Sequence, residues 1–113
     1  AIVEGLLTPQ AIHQIECFES AVQFARTEGI IAAPETSHAI AAAIREAKKA
    51  KEEGKEKVIL FNLSGHGLMD LSGYDKYFSS ELTDYALPED AMAESLKSLE
   101  GLPKPPANKT GKW

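Results

Sequence analysis

Apolar and polar positions alternate along this chain with several different periods, and each period predicts an element. Ile12, Ile15, Phe18, Val22 and Ala25 fall three and four residues apart, which puts them on one face of a helix. Thr8-Pro9 offers a hydroxyl cap followed by proline at the first helical position, and Gly29 offers a stop, so this helix is predicted over about 9–28. Residues 30–34 read as a short extended connector ahead of proline. A second helix is predicted over about 36–53, capped by Thr36 or Ser37 and stopped at Gly54. Its apolar stripe is Ile40, Ala43, Ile44 and Ala47, and its other face is a run of Lys, Arg and Glu that reads as a solvated surface.

Val58–Phe61 is different, because it is apolar without interruption. A short β-rich run between polar flanks reads as a strand buried on both faces, ended by Gly65 and Gly67. Such a strand needs neighbours, and only residues 2–3 and 30–32 are weak candidates, so most of its sheet is expected outside this chain. A short helix is predicted over 72–78 and an irregular link over 79–88. A third amphipathic helix follows near 89–99, with Met92, Leu96 and Leu99 on one face. From Gly101 the chain holds three of its six prolines and no periodicity, which predicts an extended, mobile tail. The fold class that follows is α/β, with helices packed on a small, largely parallel sheet remnant.

Composition narrows the partners. The 113 residues make one domain or part of one, and the net charge of −5 disfavours phosphate backbones. Ten of the twelve basic residues are lysines and no basic, aromatic-interleaved patch occurs, so nucleic acid is a poor partner. No apolar stretch nears the roughly 20 residues that cross a membrane. The single Cys17 reads as a small buried residue and suits a reducing cytoplasm. The first residue is Ala, which fits a processed, truncated or excised chain. His13, His38 and His66 lie in three different elements, so a metal site is not indicated. His13 reads as a helix-surface residue and His38 as packed in a first helical turn.

Two short segments could carry chemistry. Ser64-Gly65-His66-Gly67 follows the predicted strand, where glycines let backbone approach a ligand and where open α/β sheets bind one. Its glycine spacing is neither that of a nucleophile elbow nor that of a P-loop. Glu35-Thr36-Ser37-His38 opens a helix whose free N–H groups and positive dipole end favour an anion. Each segment has a plainer reading, as an ordinary turn and as simple capping.

The runs at 24–44, FARTEGIIAAPETSHAIAAAI, and 57–70, KVILFNLSGHGLMD, resemble the C-terminal region of tryptophan synthase β chains. The His-Gly form of the second run, with YDKYF and ELTDYALPED after it, resembles the second type of β chain, found in archaea and some bacteria. The resemblance covers about residues 8–95. It implies a fold-type II pyridoxal-phosphate (PLP) enzyme that joins L-serine to indole to give L-tryptophan and water. It makes residues 1–100 the C-terminal portion of such a PLP domain and 101–113 a Pro/Lys-rich tail.

By this resemblance Ser64 bonds the pyridine nitrogen of PLP, Glu35 sits beside the cofactor near its ring hydroxyl, and Thr36 and Gly65 line it. A neutral serine hydroxyl leaves that nitrogen unprotonated, which favours β-replacement over transamination. The family's Schiff-base lysine follows a histidine, and none of the ten lysines here does. The glycine-rich phosphate cup and the acid–base glutamate have no counterpart either. The resemblance therefore implies a piece that is inactive alone, whose partners are the N-terminal part of the β chain and, in the parent, a second β chain. Leu68 and Met69 are apolar where the first type has charged residues that help link to the α subunit, so that partnership does not carry over. The competing reading is a stand-alone small-molecule-binding or regulatory module without catalysis.

Overall fold

A computed structural model describes residues 1–2 and 4–103. Residues 11–84 form one compact unit, and the described residues among 1–10 and 85–103 belong to another. The predicted tail falls largely on 104–113, which lie outside the described residues.

In the first unit α1 spans Gln14–Glu28, α2 Pro34–Glu52 and α3 Leu71–Phe78. Helix α1 begins five residues later than Thr8-Pro9 predicts, and the cause is tertiary. The Ile15 N–H donates to the Asp84 carboxylate at 3.1 Å, and the Gln14 side-chain amide donates to the Thr83 carbonyl. A carboxylate 69 residues away thus caps a helix whose N-cap residue, His13, makes no side-chain bond. Gly29 ends α1 as predicted, in the left-handed conformation at φ 72°, with its N–H on the Ala25 carbonyl.

Helix α2 also starts elsewhere than its hydroxyls suggest. Pro34 takes the first helical position after Ala33, so Thr36 and Ser37 sit inside the first turn and are buried. The Ser37 hydroxyl donates back to the Ala33 carbonyl at 3.0 Å. Of the predicted stripe only Ile40 is fully buried; Ala43 and Ile44 are half-buried and Ala47 is exposed. The face turned inward is instead Thr36, Ser37, Ile40 and Ala41. His38 is exposed rather than packed, and His13 is exposed as expected.

Helices α1 and α2 pack together, and α3 joins α1 through an aromatic core. Phe18 meets Tyr74 edge-on at 5.1 Å and stacks on Tyr77 at 5.9 Å, with Ala21, Val22, Ile31 and Leu82 around them. Gly73 lets the Phe18 ring come close, since a β-carbon there would lie 3.2 Å from its tip. Cys17 is buried, and loss of solvent around it pushes its thiol pKa up. At the surface, Arg45 donates to both Glu16 carboxylate oxygens, at 2.6 and 2.5 Å, and holds that carboxyl below its usual range.

The predicted strand at Val58–Phe61 does not form. Among the described residues the β structure is one isolated antiparallel bridge, Ala32 with His66, rather than a parallel remnant. The reason is the one its sequence implies: a strand buried on both faces requires neighbours, and Val58 and Leu60 stand 100% and 96% exposed. In the second unit α4 spans Glu89–Lys97, and its apolar residues Met92 and Leu96 are exposed. No helix among the described residues is long and apolar enough to cross a membrane.

Candidate functional site

The two chemistry-bearing segments meet. The Ala33 N–H donates to the Gly65 carbonyl at 3.0 Å, and the Gly67 N–H donates to the Ile31 carbonyl at 2.8 Å. These two bonds clamp the connector before α2 against the Ser64–Gly67 turn. Gly67 is required by this approach, because a β-carbon there would lie 2.3 Å from the Ala32 carbonyl oxygen. Gly65 is less constrained: its β-carbon would meet the Ala33 side chain at an ordinary 3.5 Å.

The bridge pairs Ala32 with His66 in the non-hydrogen-bonded register, so the Ala32 carbonyl is left to a side chain. The Tyr74 hydroxyl donates to it at 2.5 Å. Burial pushes the Tyr74 phenol pKa up, and the neighbouring Ser37 hydroxyl partly opposes this. Tyr74 thus ties α3 to the floor of the clamp. Its role is absent from the sequence reading; the aromatic spacing Tyr74, Tyr77 and Phe78 is the signal that could have drawn attention to it.

Thr36 is the centre of the arrangement. Its hydroxyl oxygen lies 2.9 Å from that of Ser64, accepts the Gly65 N–H at 3.1 Å, and lies 3.3 Å from the Gly65 carbonyl. Thr36 is 1% exposed, whereas Ser64 is exposed. Glu35 sits beside them in the first turn of α2, exposed, where a negative charge favours the helix dipole. All four residues singled out from sequence, Glu35, Thr36, Ser64 and Gly65, therefore gather at one clamp, three of them in direct hydrogen-bond contact. Chemically this wall presents an exposed neutral hydroxyl, Ser64, beside backbone held close by glycine, with the exposed Glu35 one residue before Thr36 on α2.

The Leu68 N–H donates to His66 Nδ1 at 3.3 Å, which makes that nitrogen an acceptor. Among the described residues no three His, Cys, Asp or Glu side chains come together as metal ligands. Away from the clamp, Phe24, Ile40, Ala43, Ile44, Ile59 and Phe61 line an open apolar groove of about 290 Å³ between α1, α2 and the extended segment.

No family model matches the chain. It is similar to curated proteins over most of its length. It is 59% identical over 92 residues to a tryptophan synthase beta chain of Thermococcus onnurineus, which is 81% of this chain and 20% of that protein. It is 66% identical over 80 residues to tryptophan synthase beta chain 2 of Aquifex aeolicus, 71% of this chain and 18% of the relative. A beta chain of Pyrococcus horikoshii matches at 49% over 102 residues, 90% of this chain and 21% of the relative. The chain thus spans about a fifth of the length of the curated relatives it matches.

Proposed function

This chain belongs to the tryptophan synthase β-chain family, and on that premise we propose that it forms one wall of a PLP site in a longer β chain. That parent joins L-serine to indole and releases water. The observation that carries this reading is the convergence of Glu35, Thr36, Ser64 and Gly65 at one clamp. The donor set fits the cofactor on its pyridine side. Ser64 offers an exposed, neutral hydroxyl to the ring nitrogen, and Glu35 an exposed carboxylate that can hold a proton at the ring hydroxyl. When bound, PLP supplies the electron sink for bond changes at the amino-acid substrate's α-carbon. The residues here bind and orient the ring. A serine cannot keep the ring nitrogen charged as a carboxylate would, so it tempers that sink and suits replacement at the β-carbon.

The remaining assignments follow the same reading. Residues 1–100 are the C-terminal part of a fold-type II PLP domain, and 101–113 are a tail. In the complete enzyme Val58–Phe61 becomes a strand of the sheet that this chain cannot build alone. The parent is a cytoplasmic homo-oligomer, and the apolar Leu68 and Met69, 61% and 90% exposed, do not offer the charged link of the first β-chain type to an α subunit. A stand-alone binding module is not favoured, since the relatives extend over about five times the matched length.

The test is a PLP titration of the purified chain with borohydride reduction and mass mapping. The expected result is no saturable, lysine-trapped adduct on the chain alone, and recovery of PLP binding when the upstream part of the β chain is supplied. One lysine of this chain trapped at one equivalent would overturn the reading.

A further inference from the structure

We propose that Thr36 is a positioning residue that fixes the direction in which Ser64 donates its proton, and that it does not itself touch the cofactor. This rests on the reading that Ser64 meets the PLP ring nitrogen. Thr36 is buried behind Ser64, so only the serine faces outward. A threonine hydroxyl has one proton and two lone pairs. The Gly65 N–H, at 3.1 Å, takes one lone pair. The proton then has two possible acceptors, the Ser64 hydroxyl oxygen at 2.9 Å and the Gly65 carbonyl at 3.3 Å.

Each choice has a consequence at the ring. If Thr36 donates to Ser64, the serine's own proton points outward and suits a neutral nitrogen that accepts. If Thr36 donates to the Gly65 carbonyl, Ser64 can donate inward to Thr36, and it turns lone pairs toward a protonated nitrogen. The first arrangement is the better one here. The 2.9 Å contact is made either way, but the Gly65 carbonyl at 3.3 Å is long for an O–H···O bond and already accepts the Ala33 N–H at 3.0 Å. The buried threonine therefore selects the outward-donating serine, and the clamp that holds Gly65 also sets the protonation state of the ring.

The test uses the complete β chain carrying this sequence, loaded with PLP labelled with nitrogen-15 at the ring nitrogen. Three variants are compared: Thr36→Val, which keeps the shape and removes the hydroxyl, Thr36→Ser, which restores it, and Ser64→Ala. The expected result for Thr36→Val is a ring-nitrogen resonance displaced from the wild-type position and PLP binding weakened about tenfold, the loss of one orienting hydrogen bond. Thr36→Ser should return both to near the wild-type values. If Ser64→Ala displaces the resonance and Thr36→Val leaves both readouts unmoved, the positioning role is overturned while the Ser64 contact stands. If Ser64→Ala also leaves the resonance unmoved, the Ser64 contact itself fails and the proposal with it. Should Thr36→Val not fold, Thr36→Cys replaces it. Its weaker donor should give a partial displacement, and an unmoved resonance would overturn the proposal.

Discussion

Gly67 occupies a position where a side chain has no room. A β-carbon would sit 2.3 Å from the Ala32 carbonyl oxygen and 3.0 Å from its carbon, and both are backbone atoms of the clamp, which cannot swing away. Gly67→Ala should therefore cost about 1–3 kcal/mol, the usual penalty for overpacking. Gly65→Ala meets only the Ala33 side chain at 3.5 Å and should leave stability nearly unchanged. Thermal unfolding of the two variants in the complete β chain checks this, and equal midpoints would contradict it. Both glycines are visible in sequence as breakers after an apolar run. What sequence does not reveal is that one is needed for close backbone approach and the other is not, because that depends on Ala32, 35 residues earlier. Thr36 and Ser37 are a similar case. Their hydroxyls suggest caps, yet Pro34 starts the helix and frees them for work within the clamp.

Helix periodicity located α1 and α2, and glycine or proline fixed three of the boundaries: Gly29, Pro34 and Gly54. Two helix starts lie away from their predicted caps: α2 begins at Pro34 rather than at Thr36 or Ser37, and α1 begins at Gln14 rather than at Pro9, where the decisive group is distant in sequence. Asp84 accepts the Ile15 N–H and places a negative charge at the positive end of the helix. Replacing Asp84 by Ala should leave the first turn of α1 uncapped, at a cost of about 1 kcal/mol. Amide hydrogen exchange over residues 14–18 should then run about fivefold faster through local opening, with α2 unaffected. Asp84→Asn keeps an oxygen in place and should fall between the two. Uniform acceleration along α1 and α2 would mean that Asp84 supports the whole unit rather than one helix end. The most buried face of α2 is turned from the predicted stripe, sharing Ile40 with it, because an alanine-rich helix offers several nearly equivalent stripes and tertiary packing selects among them.

Across the whole molecule, the extended segment at Val58–Phe61 is where sequence and structure part most clearly, and the disagreement is informative. One face of it is in use: Phe61 meets Phe24 edge-on at 5.8 Å, and Ile59 helps line the apolar groove beside α2. The other face, Val58 and Leu60, is fully open. Burying each such side chain is worth about 1.5–3 kcal/mol, so a chain with both exposed gains by covering them. The isolated chain should accordingly self-associate as its concentration rises. Replacing both residues by lysine adds charge to the open face and should shift sedimentation toward the monomer. In the complete β chain the same face should be covered by elements packed on the completed sheet, where two lysines bury unpaired charge. There the double substitution should lower stability rather than improve behaviour. The opposite signs in the two contexts are what the reading requires. If the double variant sedimented like the parent chain and left the complete enzyme equally stable, Val58 and Leu60 would be surface residues in both, and the missing sheet would have to lie elsewhere.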